Sequence, residues 1–381
     1  MKIGVLTLPL HANYGGNLQA WALMNVLKEM GHDVWLIDLA RYRIAGWRAP
    51  AVLVKRALLK YFFRRAEVVV GKGILDGPRR AIYEKHARRF IADHISPRTR
   101  RFNSTRHLSR DIDKCAFDAI VVGSDQVWRP EYAPNVDDYF LGFLSDAKST
   151  RRLSYAASFG TSEWRFTPEQ TKRCSALLNK FHAVSVREAS AVDLCREKLG
   201  VAASHVVDPT LLLDVSAYIK LLSAERADCQ PSGKLFVYLL DKDPSKKAIL
   251  EALVTKTGLS PFDVHTREGE PDACGSRIAP PVEDWIRGFR DADFVFTDSF
   301  HGCVFSILFN KPFVVYGNPQ RGLARFESLL GTFNLLRRMI DNADAVDEIL
   351  AQSPIDWQVV KDVLSVERIK ARQFLSSALE G

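Results

Sequence analysis

The sequence predicts an α/β protein of two doubly wound, Rossmann-like domains that face each other across a cleft. Three observations carry this expectation. A chain of 381 residues is too long for one ordinary hydrophobic core and suits two of about 150–200 residues. Short apolar runs alternate with amphipathic helical stretches, the pattern of parallel sheets covered by helices. Several of the apolar runs end in polar or small residues, as strands do where their carboxyl ends line a ligand crevice.

The first unit is a strand from Lys2 to Leu8, a turn from His11 to Asn17, and a helix. That helix sets Leu18, Ala22, Val26 and Met30 near one face before Gly31 stops it. The opening residues lack the small-residue cleavage site of a signal peptide and read as this strand. With Val34 to Leu39 as second strand, they make a parallel βαβ unit. A basic segment follows. Between Arg41 and Arg110, 19 Lys and Arg oppose four Asp and Glu, a larger surplus than the whole chain's net charge of +8. Leu53 to Arg65 has helical character, with Arg56, Lys60 and Arg64 in line and Val54, Leu58, Tyr61 and Phe62 roughly opposite; a second helix is expected from Arg79 to Phe90. The segment reads either as a solvated helical insertion or as a surface for anionic lipid headgroups, where each Lys or Arg adds roughly 1 kcal/mol.

The α/β pattern resumes with strands at Phe117 to Gly123, Arg152 to Phe159, Ala183 to Val186 and Val206-Val207, with a helix through Ala176 to Lys180. Asp208-Pro209 interrupts the pattern, because the residue before proline is pushed away from helical geometry. A second series follows: strands at Lys234 to Leu240, Phe294 to Thr297 and Pro312 to Tyr316, and helices at Pro244 to Thr257, Val282 to Arg290 and Val304 to Phe309. Ala345 to Leu350 and Trp357 to Leu379 read as closing helices. The expected division is 1–207, carrying the basic insertion at about 41–110, then 208–340, then helices over 341–381.

Composition narrows the function classes. Apolar residues at 47% and charged residues at 26% suit a soluble globular protein. No apolar run approaches the roughly 18–20 residues that a membrane-spanning helix needs. Six scattered cysteines form no zinc or redox motif and suit a reducing cytoplasm. No metal is expected, since metal-binding motifs such as His-Glu-x-x-His are missing.

Chemistry is expected where strands end. His301 follows the strand Phe294 to Thr297, next to Asp298 and Ser299, and a histidine can exchange a proton near neutral pH. Arg187 ends a short apolar strand, where a guanidinium can clamp phosphate or carboxylate. The turn Asn13, Tyr14, Gly15, Gly16, Asn17 offers backbone N–H groups at a helix start, with glycines that let an anion approach. It is neither the Gly-x-Gly-x-x-Gly dinucleotide pattern nor a P-loop. Ser124 and Asp125 follow another strand, and Asn318, Arg321 and Arg325 add polar and cationic groups.

Together these stretches resemble the polysaccharide pyruvyltransferase family. The matching motifs are Asn-Tyr-Gly-Gly-Asn-Leu-Gln-Ala (13–20), Val-Val-Gly-Ser-Asp-Gln-Val-Trp (121–128), Ser-Tyr-Ala-Ala-Ser-Phe-Gly (154–160), Ser-Val-Arg-Glu (185–188), Val-Asp-Pro-Thr-Leu-Leu-Leu (207–213) and Thr-Asp-Ser-Phe-His-Gly (297–302). The resemblance implies a GT-B-like fold, phosphoenolpyruvate as donor, no further cofactor, and transfer of the pyruvyl group onto two hydroxyls of one sugar as a cyclic ketal. It associates His301 and Arg187 with the donor. Asp298 or Asp125 is expected to orient His301 or act as its partner. The expected substrate-binding set is Asn13, Gly15, Gly16, Asn17, Ser124, Ser299, Gly302, Asn318, Arg321 and Arg325.

The acceptor is expected to be a lipid-linked sugar at the inner face of the cytoplasmic membrane, with the basic segment touching anionic lipid and no nucleic acid involved. Two rival classes share the architecture. One is a GT-B glycosyltransferase with a nucleotide-sugar donor; the other is a non-enzymatic scaffold that holds anionic polymer.

Overall fold

The computed structural model of the chain describes residues 1–40, 81–133, 135–146, 149–222, 233–241, 243–264, 278–317 and 322–380. The expected Leu53–Arg65 helix, most of the basic insertion, Asn318 and Arg321 lie outside the described residues.

The first sheet is wholly parallel. It contains β1 (Lys2–Leu6), β2 (Asp33–Leu36), β3 (Ala119–Gly123), β4 (Arg151–Ala157), β5 (Ala183–Val186) and β6 (Ser204–His205), in the order β2-β1-β3-β4-β5-β6. The second is also parallel, with β7 (Leu235–Tyr238), β8 (Pro261–Phe262), β9 (Phe294–Thr297), β10 (Phe313–Tyr316) and β11 (Met339–Ile340), in the order β11-β10-β9-β7-β8. β3 and β9 are buried on both faces, which explains their unbroken apolar runs. β8 and β11 are two-residue edge strands that were not expected, and Ser204–His205 pairs where Val206-Val207 was expected to.

Each sheet reverses its strand order once. In the first the chain steps from β1 out to β2 and returns on the other side at β3; in the second it steps from β7 to β8 and returns at β9. Such switch points leave a crevice at the strands' carboxyl ends, where open α/β sheets bind ligands.

Two helices start at these points. α1 (Tyr14–Glu29) follows β1, and Asn13 caps it by accepting from the Gly16 N–H (3.2 Å). Between it and the second sheet lie α2 (Lys85–His94), from the end of the insertion, and α3 (Val282–Asp291). α4 (Phe300–Leu308) follows β9 under a Ser299 cap that accepts from Gly302 N–H (3.3 Å). It begins four residues before the expected start, because Ser299 supplies the cap.

One continuous core joins the lobes, running from α1 and β1 through Trp285 and Phe289 of α3 to Phe300 and Phe305 of α4. Further contacts knit the lobes together. Tyr14 Oη donates to Pro280 O (2.9 Å), Ala279 N–H donates to Tyr83 O (3.0 Å), and Ala189 N–H donates to Ser328 Oγ (2.7 Å) in the middle of α5 (Ala324–Thr332). Pro209–Leu212 packs on α1 and so belongs with the first lobe, past the expected division at 207, and α6 (Trp357–Glu380) returns to that lobe. There Arg368 donates to the carbonyls of Leu211 and Leu213, Arg372 pairs with Glu29, and Arg151 Nε donates to Ala378 O.

Candidate active site

A cavity of about 620 Å³ opens between the lobes. Its walls are the four strand ends that the two switch points leave free: His11 to Tyr14 after β1, Asp125 and Gln126 after β3, Tyr238 to Leu240 after β7, and Asp298 to His301 after β9. Tyr83, Tyr132 and Arg325 complete much of the rim.

His301 projects from the first turn of α4 and is buried apart from one edge that reaches the cavity. Its ring lies against Gly15 of the opposite lobe. A Cβ at Gly15 would sit 2.0 Å from His301 Nδ1, so only glycine permits this approach of α1 to α4. The carboxylate beside His301 is Asp208, with Nε2 and Oδ2 3.7 Å apart.

Asp208 is fully buried. Its Oδ2 accepts from Arg187 Nη1 (2.9 Å) and Ser124 Oγ (3.2 Å), and its Oδ1 accepts from Thr210 N–H (3.0 Å) and Thr210 Oγ1 (2.7 Å). Burial alone would raise its pKa. The neighbouring His301 imidazole and the Arg187 guanidinium outweigh burial and hold this carboxyl well below the usual range.

The expected partners of His301 are therefore replaced. Asp298 is buried and committed elsewhere: it accepts from Lys246 Nζ (2.5 Å) and from Leu240 N–H (2.8 Å), bracing β9 against the end of β7. Asp125 stands 3.8 Å from Arg187 Nη2, in a left-handed conformation at φ 67° that turns the chain sharply after β3.

Arg187 does not line the cavity. It lies behind the wall, almost wholly buried, between Asp208, Glu188 and Asp125, with its guanidinium 4.3 Å from the centre of the Phe300 ring. Among the described residues the guanidinium in the wall is that of Arg325, which also lies over Phe300 at 5.9 Å. Burial, then repulsion from Arg187, pushes its pKa down to about 10. Glu188 and Asp125 pull it the other way.

The other expected residues divide in two. Asn13 and Ser299 line the cavity and cap the two helices whose N-termini face it. Ser124, Asn17 and Gly302 are structural. Ser124 donates to Ala156 O (3.0 Å) as well as to Asp208, Asn17 Nδ2 ties the turn to His11 O (2.8 Å), and Gly302 packs against Thr297. Gly16 donates to the Asn13 cap. Gln19, not singled out from the sequence, joins the first switch point: its Oε1 accepts from Ser124 N–H (2.9 Å), and its Nε2 donates to Thr7 Oγ1 (2.8 Å).

A family model described as polysaccharide pyruvyl transferase matches residues 13–320. The chain belongs to that family. The match takes in the six motifs and the whole cavity wall apart from His11, Ala12 and Arg325. It also makes the chain an enzyme, a polysaccharide pyruvyltransferase.

Solved structures similar to this pyruvyltransferase share its fold at low sequence identity. The UDP-GlcNAc 2-epimerase of Neisseria meningitidis, bound to UDP-GlcNAc, is 10% identical with a TM-score of 0.54 over 100% of this chain and 99% of that one. Arabidopsis thaliana UGT89C1, complexed with UDP-L-rhamnose, is 10% identical with a TM-score of 0.52 over 99% and 98%. S. aureus MnaA with UDP is 13% identical with a TM-score of 0.51 over 95% and 91%. These likenesses establish the GT-B fold. No curated protein matches the sequence.

Proposed function

We propose that this enzyme takes the pyruvyl group from phosphoenolpyruvate and sets it on two hydroxyls of one sugar, closing a cyclic ketal and releasing phosphate. The observation that carries this reading is the meeting of His301, from the second lobe, with Gly15 and the Asp208–Arg187 pair of the first. A histidine backed by a buried carboxylate can hold and hand on a proton.

The donor carries a phosphate and a carboxylate. Arg325 and the N-termini of α1 and α4 supply cation and N–H groups in the cavity wall. Arg187 acts from behind, fixing Asp208 and Phe300. In the first step the methylene carbon of phosphoenolpyruvate gains a proton and C2 becomes electrophilic. One sugar hydroxyl attacks C2 and gives up its proton. In the second step the neighbouring hydroxyl attacks C2 as the C2–O bond to phosphate breaks. Over both steps one hydroxyl proton ends on the new methyl group and the other on phosphate. His301 delivers the first proton and receives the hydroxyl proton, and Asp208 stabilises its protonated form.

The test has two parts. Phosphoenolpyruvate should raise the melting temperature more than nucleotide sugars do. Incubation with phosphoenolpyruvate and a panel of lipid-linked and aryl-tagged sugars should add the mass of one pyruvyl group to at least one of them. A shift with nucleotide sugars alone, with no pyruvyl adduct, sinks the proposal.

A further inference from the structure

The cavity wall has two chemically different parts, and the reaction proposed above assigns no role to the aromatic side chains of the second. The charged part gathers Arg325, Asp125 and Tyr132, with Arg187 and Glu188 behind it. A second part gathers Tyr14, Tyr83, Tyr238 and Pro280. The Tyr14 and Tyr238 rings are 6.2 Å apart, Tyr14 Oη is bonded to Pro280 O, and Tyr83 is an electrostatic neighbour of both phenols. These four wall residues carry no formal charge.

Tyr14 is buried and stacks on Trp285 (5.7 Å, 28° between planes), which makes it a rigid floor. Tyr83 is 45% exposed and stands at the mouth. Its backbone carbonyl is bonded across the cleft to Ala279, so an exposed ring is carried on fixed main chain. An exposed aromatic on fixed main chain, over an aromatic floor with the Asp284 and Asp298 carboxylates nearby, suits a neutral ligand with apolar C–H faces and hydroxyl edges. An anionic three-carbon donor is not such a ligand; a neutral pyranose ring is.

We infer that the Tyr14–Tyr83–Tyr238 part of the cavity is the subsite for the acceptor's pyranose ring, with Tyr83 as the stacking face at its mouth. The inference rests on the pyruvyl-transfer reading for what happens to the sugar, but binding of a sugar there does not need the donor. The hydroxyl pair to be closed then points toward His301, and the rest of the saccharide leaves past Tyr83.

The test is saturation-transfer NMR with methyl β-D-glucopyranoside, methyl β-D-galactopyranoside and methyl α-D-mannopyranoside, without phosphoenolpyruvate. At least one glycoside should show transfer to its ring C–H protons. Tyr83→Ala should weaken that binding about tenfold, the upper end of one aromatic contact, and Tyr83→Phe should keep it within twofold. The melting shift from phosphoenolpyruvate should be the same in all three proteins. No transfer from any glycoside, unchanged binding in Tyr83→Ala, or an equal loss of phosphoenolpyruvate binding would each overturn the subsite. A wild type that binds glycoside but not phosphoenolpyruvate overturns the donor reading instead and leaves the subsite standing.

Discussion

Asp208 shows how much depends on one buried carboxylate. It faces Arg187, 21 residues earlier, and His301, 93 residues later, and no local pattern of the sequence marks those distances. Read along the chain, Asp208-Pro209 is a break between elements and part of one matching motif, with no role assigned to its carboxylate. Folded, it joins the two residues that the sequence did single out. Asp208→Asn keeps the shape but leaves the Arg187 charge buried against weaker partners, and should cost about 3 kcal/mol at neutral pH in urea unfolding. The sign with pH follows from its depressed pKa: the stabilisation is complete above the unfolded value near 4 and fades as pH falls below it. The gap between wild type and Asp208→Asn should therefore shrink in acid; a constant gap down to about pH 2 would contradict the pairing. For His301, replacement by Gln should lower kcat about 10²–10⁴-fold while phosphoenolpyruvate still shifts the melting temperature. Transfer within about tenfold of wild type would remove His301 from the proton path.

At the scale of elements, periodicity and apolar runs identified the strands that build the switch points, because a strand buried on both faces must be apolar throughout. Two-residue edge strands such as Pro261–Phe262 and Met339–Ile340 are too short to carry any pattern. Arg187 and Arg325 illustrate a second limit. Both read as cations near a cleft, and only packing around Phe300 decides that one lines the cavity and the other stands behind it. The approach of α1 to α4 is likewise invisible until Gly15 meets the imidazole. Gly15→Ala inserts a methyl group into that contact and must force the helices apart or turn the ring. Pyruvyl transfer should fall at least about 100-fold while the melting temperature moves by only a few degrees. Near-normal turnover would mean that the contact is not part of the reacting arrangement.

For the whole molecule, the two-lobed plan followed from length and from the repeated strand–helix alternation. The basic segment was equally plain in the sequence, although residues 41–80 fall outside the described structure. No helix among the described residues is long and apolar enough to cross a membrane. Charge in this segment motivates a lipid-linked acceptor: the enzyme should sediment with vesicles rich in anionic phospholipid at about 20 mM salt and detach as salt approaches about 500 mM. Indifference to such vesicles at low salt would leave the acceptor's lipid carrier without support.

The return of α6 to the first lobe has a consequence for synthesis. Residues 1–213 leave the ribosome early, yet Arg368 and Arg372 close over the Leu211–Leu213 carbonyls only once α6 has been made. At about 10 residues per second the nascent first lobe waits on the order of 15 s for its last helix. The first lobe thus gains its α6 cover only after the second lobe has been translated.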